Sequence, residues 1–319
     1  MAATDPFEEF GDVAELALGL ADPDPAVRRV AVLGLAETAD PDAIPHLADA
    51  VTDPDAGMRR QVAEALGGFD GPATAAALAI ALADPDSSVA AAAAESLTEL
   101  KDPAAGAPLL HLVRHPDAFV RAAALRGLRN LRLADSLGPA VAALGDPEPV
   151  VRAQAVGVIA YLKREEALLS LIGATRDPDA EVRRAGVGAL AFSRHGHAVD
   201  AIADALGDAD WGVREIAADA LGRTGQGGRH AALRDALGDD YWQVRQKALR
   251  SLGKLKERRA VAAILAILGD ERAALRKEAA AALGEIADRE ARAGLEAIAE
   301  DPDPEVRKTA RWALDRLQA

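Results

Sequence analysis

The sequence predicts an all-α fold, a right-handed α–α superhelix in which about ten helix hairpins stack as a single array over residues 1–319. An apolar anchor recurs every 31 residues without an insertion, and a usually small residue and then Leu or Ile follow it four and eight residues later. That spacing places all three on one helix face. Alanine, the strongest helix former, dominates the hydrophobic half of the chain, and aromatic residues make up 3%. The anchors are Val27, Met58, Val89, Val120, Val151, Val182, Val213, Val244, Leu275 and Val306.

Each repeat is predicted to contain two helices, named helix A and helix B in chain order. Helix A shows apolar pairs four residues apart, such as Leu47 with Val51. The turn before helix B reads Asp-Pro-Asp, as at residues 177–179, and Asp at an N-cap with Pro in the first turn starts a helix. Glycines just past the last Leu anchor are expected to end helix B in the left-handed conformation. They are Gly67, Gly222, Gly253 and Gly284.

The segment 208–214, Asp-Ala-Asp-Trp-Gly-Val-Arg, followed by Ala-Leu-Gly at 220–222, resembles the HEAT-like repeat family, in particular the short repeats named after phycobilisome lyases. The resemblance covers essentially the whole chain. It implies an open array whose helix-B side is the concave face. It also implies a range of functions, from protein-binding scaffolds to chromophore-lyase subunits and, with added residues, enzymes.

An Arg follows most anchors, in the first turn of helix B, where the helix dipole disfavours a cation. The Asp six residues before it is the expected partner, and the family resemblance implies pairing between neighbouring repeats; an anion site is the alternative. The pattern has two gaps, Ala90 in place of Arg and His115 in place of Asp. If each Asp pairs with the Arg of the preceding repeat, both partners are missing at one junction. We therefore expect a flexible junction near residues 90–120.

The amino-acid composition excludes several classes of function. The net charge is −14 and the pI is near 4.9, an acidic balance that resembles proteins of salt-loving or GC-rich microbes. Such a surface repels nucleic acid and anionic membranes unless a local basic patch exists. The chain has no Cys, which excludes disulfides, thiolate metal sites and a catalytic thiol. No apolar run approaches the roughly 20 residues of a membrane span, and residues 1–10 lack a basic leader, so we expect a soluble cytoplasmic protein.

The sequence offers no catalytic constellation, metal site or cofactor site. His111 and His115 have the spacing of metal ligands on a helix, but no third ligand is evident. The His-Glu pairs that a di-iron hydroxylase built on such repeats needs are absent. Residues 225–228, Gly-Gln-Gly-Gly, follow a helix and lack the Lys-Ser/Thr ending of a phosphate loop, so we interpret them as a connection. The prediction is a non-enzymatic protein.

The candidate binding residues lie six and ten positions after the anchors on helix B, and this stripe runs from acidic through aromatic to basic. Tyr161 and Phe192 are 31 residues apart and are expected to be neighbours, each with a Gly one turn earlier that opens space beside the ring. They form a shallow recognition pocket or, alternatively, cover the end of the core. The stripe residues that we single out are Arg126, Asn130, Tyr161, Phe192, Arg223, Arg250 and Lys254.

Two further features add candidates. Trp211 and Trp242 are one repeat apart in the turn before helix B, and they form an exposed aromatic edge or plug the groove between repeats. Residues 223–259 contain ten basic and four acidic residues, and Lys247 shares one helix face with Arg250 and Lys254. This basic patch is the best candidate for binding an anion, with a solvated surface as the alternative.

These observations predict an interaction scaffold that binds a protein or peptide along the helix-B face, with Tyr161 and Phe192 as anchors and the basic patch 223–259 steering an acidic partner. A chromophore-lyase-like subunit is the second hypothesis. Nucleic-acid binding through the basic patch is the third, and the acidic remainder of the chain disfavours it.

Overall fold

A computed structural model describes residues 12–225 and 229–318, and within them it contains twenty α-helices and no strand. The helices belong to two compact units, Met1–Glu165 and Glu166–Ala319. Helix pairs follow one another in each unit, so the all-helical class is confirmed. That residues 1–319 form a single array stays a prediction.

The first unit contains five helix pairs, and in four of them helix A is shorter than helix B, the exception being the third pair. They are α1 (Val13–Leu18) and α2 (Pro25–Glu37), α3 (Ala43–Asp49) and α4 (Ala56–Leu66), α5 (Pro72–Leu82) and α6 (Ser87–Ser96), α7 (Gly106–Leu112) and α8 (Ala118–Leu131), and α9 (Leu137–Ala143) and α10 (Pro149–Leu162).

The second unit contains five more pairs. They are α11 (Leu168–Ala174) and α12 (Ala180–Leu190), α13 (Gly196–Asp204) and α14 (Trp211–Thr224), α15 (His230–Asp235) and α16 (Trp242–Lys254), α17 (Val261–Ile267) and α18 (Ala273–Ile286), and α19 (Arg292–Ala297) and α20 (Pro304–Arg316).

The predicted starts of helix B are confirmed by the caps. Asp24 accepts a hydrogen bond from the Ala26 amide at 2.8 Å, and Asp179 accepts one from the Glu181 amide at 2.9 Å. Pro25 occupies the first turn of α2, where its missing N–H has no partner to lose. The apolar anchors are buried in nine repeats, and only Val27, which no described repeat precedes, is 42% exposed.

The predicted ends of helix B were wrong. Gly222, Gly253 and Gly284 lie inside their helices, and Gly67 ends α4 in the right-handed conformation. The left-handed residue comes about three residues later, at Gly225 after α14 and at Ala287 after α18. Packing explains these glycines, because a Cβ on Gly253 would lie 2.9 Å from the Cα of Ala282 in the next helix B. Glycine therefore permits close approach of neighbouring helices.

The Arg residues after the anchors form a regular Arg–Asp ladder between repeats. Arg183, for example, donates through Nε and Nη2 to both carboxylate oxygens of Asp208 in the next repeat, at 2.7 and 2.8 Å. Its Nη1 donates to the main-chain oxygen of Asp177, six residues earlier, at 3.0 Å. The predicted pairing between neighbouring repeats is thus confirmed. Asp177, the residue six positions before Arg183, contributes its main-chain carbonyl to this arginine. The pairs within single units are Arg28–Asp53, Arg59–Asp84, Arg121–Asp146, Arg183–Asp208, Arg214–Asp239, Arg245–Asp270 and Arg276–Asp301.

The ladder is interrupted between α6 and α8, where Ala90 and His115 replace the two partners. His115 keeps the turn, because its Nδ1 accepts the Asp117 amide at 3.1 Å, but no ion pair joins the two repeats at this edge among the described residues. Helix α6 also packs less extensively on α8 than α4 does on α6. At the opposite edge, Asn130 donates to the Thr98 carbonyl at 3.0 Å. The junction is therefore braced on one side only.

Restoring the missing pair tests the expected flexible junction near residues 90–120. We expect the double variant Ala90→Arg, His115→Asp to gain about 1 kcal/mol in stability from the charge-assisted hydrogen bonds. Amide hydrogen exchange across residues 90–120 is expected to be faster in the wild type than at the intact α4–α6 junction, and slower in the double variant. Uniform protection of the wild type across both junctions would contradict the hypothesis.

Candidate functional site

The residues six and ten positions after the anchors form a solvent-facing surface on the helix-B side of each unit, which we call the helix-B face. Glu64, Glu95 and Glu99 are exposed in the first unit, and Phe192 and Lys254 in the second. The sequence thus identified the accessible side of these helices. Tyr161 belongs to the first unit and Phe192 to the second, and their predicted proximity stays a prediction.

Two of the predicted binding residues brace neighbouring repeats. Arg126 donates through Nη2 to the Ala94 carbonyl and to Oε1 of Glu95, both at 2.9 Å. Asn130 makes the equivalent bond to the Thr98 carbonyl. These hydrogen bonds satisfy main-chain carbonyl groups at the carboxyl end of α6, where such groups lack partners within the helix. Arg126 and Asn130 therefore have a structural task, which leaves fewer of their donors for a partner.

Tyr161 lies in the last turn of α10 with 46% of its surface exposed. Two guanidinium groups flank its ring, with Cζ of Arg129 at 5.6 Å and Cζ of Arg132 at 5.9 Å from the ring centroid. Gly157 leaves no empty space beside the ring, because a Cβ there would lie 3.2 Å from Cδ of Arg129. The expectation of an open gap at this ring was wrong, since the Arg129 stem fills it.

Phe192 is the most exposed large apolar residue of the part of the chain that the structure describes, at 77%. The guanidinium of Arg223 lies over its ring with Cζ 5.6 Å from the centroid, and Arg223 is held by Asp219 at 2.6 Å. Gly188 lies one turn before Phe192, and none of the residues that the structure describes comes within 4 Å of a hypothetical Cβ there. Here the predicted open space beside the ring is confirmed.

That space belongs to a surface depression of about 250 Å³ formed by α12, α14 and α16 of the second unit. Its floor is small and apolar, and is formed by Gly188, Ala191, Ile216 and Ala220. Its rim is charged, with Glu215 and Asp219 as acids and Arg223 and Lys247 as bases. An apolar floor with a few charged groups is typical of a recognition surface.

The predicted basic patch 223–259 is partly neutralised. Arg223 pairs with Asp219, Arg229 with Asp200, Arg245 with Asp270 and Arg250 with Glu278, and all four acids lie outside the patch in sequence. The Glu278 hydrogen bond raises the pKa of Arg250, which keeps this side chain charged but engaged. Lys247 and Lys254 have no acidic partner among the described residues. Residues 226–228, which include most of the predicted glycine-rich connection, lie outside the described residues.

The tryptophans of the predicted aromatic edge are half-buried. Trp211 stacks on Tyr241 of the next repeat, with ring centroids 5.4 Å apart and planes inclined by 9°. Cζ of Arg214 lies 5.6 Å from the Tyr241 centroid. Trp242 opens helix α16. The stack joins Trp211 to Tyr241 rather than to Trp242, and it fills the space between two repeats.

Sequence reasoning missed several of these residues. Arg129 lies 32 residues before Tyr161, the same offset as the bonds from Arg126 to Ala94 and from Arg316 to Gly284. A search at 31 residues alone misses this diagonal contact. A half-buried pair of His230 with Glu257, which Arg234 joins at 3.3 Å from Glu257, was also missed. The His230 hydrogen bond lowers the pKa of Glu257 although burial acts in the opposite direction.

The two units differ in charge. Residues 1–165 contain 13 Lys and Arg against 25 Asp and Glu, a net charge of −12, whereas residues 166–319 contain 24 against 26. Among residues 12–225 and 229–318, no three His, Asp or Glu side chains lie together as metal ligands. None of the helices described is both long and apolar enough to span a membrane.

A protein-family model matches the repeats along the chain. The family model described as HEAT repeats matches residues 13–98, 75–144, 137–222, 171–241 and 230–315. This general model does not confirm the phycobilisome-lyase subtype. No curated protein sequence matches the chain significantly.

Solved structures show the same architecture. An engineered protein is 20% identical with a TM-score of 0.51, over 97% of this chain and 99% of its own. YibA of Escherichia coli is 19% identical with a TM-score of 0.53, over 90% and 96%. Kap95, solved in a Kap95:Nup1 complex, is 16% identical with a TM-score of 0.65, over 98% of this chain and 52% of its own. Identities this low show a shared fold, the α–α superhelix.

Proposed function

We propose that this chain, which belongs to the HEAT-repeat family, is a non-enzymatic scaffold that binds a peptide segment of a partner protein on the helix-B face of its second unit. The observation that carries the proposal is the exposed Phe192 ring beside an apolar depression. Kap95 in its complex with Nup1 is a protein of the same fold with a protein partner, which supports this class of function.

The size of the depression favours a peptide over a small molecule. At about 250 Å³ and open to solvent, it is smaller than the roughly 300–1,000 Å³ of small-molecule sites. It suits one large apolar side chain, which the floor around Ile216 and Ala220 would contact. The Phe192 ring and the Arg223 guanidinium stand beside it and would pack on the same segment, in the manner of interface hot spots.

The charged rim gives the peptide a direction. Glu215 and Asp219 lie one turn apart on α14, and Lys247 contributes a cation from α16. Asp219 is already paired with Arg223, whereas Glu215 and Lys247 have no ion partner among the described residues. A segment with an apolar residue between a basic and an acidic residue therefore complements the site best.

Removing the Phe192 ring tests the proposal. A random peptide library displayed on phage is selected on the wild type, and the enriched peptide is synthesised and titrated by calorimetry. We expect Phe192→Ala to weaken binding by about tenfold or more, because burial of an aromatic ring contributes roughly 2 kcal/mol.

Leu169→Ala is the matched control, because Leu169 is 75% exposed in helix A of the same unit. It removes a comparable apolar surface away from the helix-B face, so the affinity is expected to stay unchanged. The proposal is wrong if no peptide is enriched, or if the two variants weaken binding equally. Circular dichroism checks that both variants keep the helical content of the wild type.

A further inference from the structure

A second cluster, in the first unit and independent of the Phe192 surface, consists of Tyr161, Arg129 and Arg132. The two guanidinium groups lie within 6 Å of one exposed ring, at a distance typical of cation–π contacts. Neither has a carboxylate partner among the described residues. The N–H groups of two permanently charged side chains are thus collected at one place on the helix-B face.

The lack of a partner stands out because acids are abundant in this unit. It contains 25 Asp and Glu against 13 Lys and Arg, and neighbouring cations such as Arg121 and Arg126 are each held by a carboxylate. Nε of Arg129 is moreover buried without a hydrogen-bond acceptor. Nε of Arg126 is buried in the same way, so it is the missing carboxylate that distinguishes Arg129 from its neighbour among the described residues.

Gly157 holds this arrangement in place. It lies one turn before Tyr161 on α10, and a Cβ there would approach Cδ of Arg129 to 3.2 Å. The bare backbone of Gly157 therefore lets the Arg129 stem lie flat on α10 and bring its guanidinium to the ring. Glycine in a helix interior costs stability relative to alanine, and here it makes room for a cation.

We infer that Tyr161, Arg129 and Arg132 form a recognition site for an oxyanionic side chain, carboxylate or phosphate, of a short acidic peptide segment. Guanidinium groups bind both oxyanions through charge-assisted hydrogen bonds. The aromatic ring lowers the polarity around these hydrogen bonds, and a less polar surrounding strengthens them. The surrounding net charge of −12 repels an extended polyanion, so the site selects a short segment rather than nucleic acid.

Three peptides that differ at two central positions test the inference. Their flanks are Gly and Ser, and the central pair is glutamate, phosphoserine or glutamine. Calorimetric titration of the full chain is expected to show binding of the two anionic peptides and none of the glutamine peptide. The tighter anionic peptide identifies the oxyanion. Binding of the glutamine peptide with the same affinity would overturn the inference.

Charge-matched variants separate the site from general attraction. Arg129→Gln and Arg132→Gln are each expected to weaken the anionic peptide by about tenfold, the loss of a hydrogen bond to a charged group. Arg114→Gln removes a cation of the same unit that has neither a carboxylate partner nor a ring contact within residues 12–225 and 229–318, and the affinity is expected to stay within about twofold. A loss with Arg114→Gln as large as with the ring arginines contradicts the site.

Gly157→Ala provides a variant that keeps every binding group. The added methyl is expected to raise the unfolding midpoint through helix propensity and to displace the Arg129 stem, which lowers the affinity for the anionic peptide severalfold. Opposite changes in midpoint and affinity support the site. A raised midpoint with unchanged affinity would show that the position of Arg129 does not matter and would overturn its role.

Discussion

Replacing Asp208 by Ala is expected to lower the free energy of unfolding by about 3 kcal/mol, the cost of breaking a largely buried ion pair from one side. The Asp208 carboxylate accepts bonds from Arg183 at 2.7 and 2.8 Å and from the Asp210 amide at 2.8 Å. The variant leaves the Arg183 guanidinium, whose side chain is 16% exposed, without its counter-charge. Urea unfolding followed by circular dichroism measures the shift of the midpoint.

Asp200→Ala is the control for the loss of one surface charge. Its partner is Arg229, and the two side chains are 52% and 51% exposed. Solvent screens such a pair, so we expect a loss below about 1 kcal/mol. If both variants lose the same stability, the Arg–Asp ladder contributes no more than ordinary surface pairs.

The same ladder makes stability depend on pH in a defined direction. The Arg183 hydrogen bond holds the pKa of Asp208 below its ordinary value, and Arg59 does the same for Asp84. A carboxyl with a lower pKa in the folded state stabilises the fold above its unfolded pKa of about 3.9, and this contribution is lost as the pH falls through the folded pKa. The wild-type midpoint is therefore expected to fall below about pH 4, less steeply in Asp208→Ala. Parallel slopes would contradict this.

The buried side of helix B and the start of helix B could be predicted from the sequence, because each depends on residues of a single repeat. The anchors specify the buried side of helix B, and Asp179 specifies its start, because both effects involve residues within one turn of each other. The ladder partner was harder to predict. Arg183 has Asp177 six residues before it and Asp208 25 residues after it, and only the distance between stacked repeats decides that Asp208 supplies the carboxylate.

The charge of the candidate site could not be predicted in the same way. Residues 223–259 are basic when counted along the chain, but Arg250 finds Glu278 one repeat later, at 2.8 Å. Tyr161 was identified as a candidate, whereas its partner Arg129 was not, because the contact crosses repeats at a diagonal offset. A surface built from successive repeats mixes residues about 31 positions apart, so counts within one stretch of sequence misjudge it.

The same substitution is expected to have opposite effects at two helical glycines of the second unit. Gly222→Ala is expected to lower the free energy of unfolding by about 2 kcal/mol, because the new Cβ would lie 2.9 Å from Cα of Ser251 in the next helix B. Ser251 is fully buried, and its hydroxyl donates to the Ala218 carbonyl at 2.7 Å, so it cannot move aside without losing that bond. Gly188→Ala meets nothing within 4 Å and is expected to raise stability by about 0.5–1 kcal/mol.

The urea midpoints of Gly222→Ala, Gly188→Ala and the wild type measure this difference in stability. They show whether Gly222, which follows the last Leu anchor of its repeat, is needed for helix packing. If helix propensity alone governs both positions, Gly222→Ala also stabilises, and close approach of α14 and α16 is not what Gly222 provides. A loss at Gly222 with a gain at Gly188 shows that stacking of neighbouring B helices requires glycine there. Because Gly188 also forms the floor of the depression beside Phe192, Gly188→Ala is expected to weaken peptide binding while it stabilises the fold.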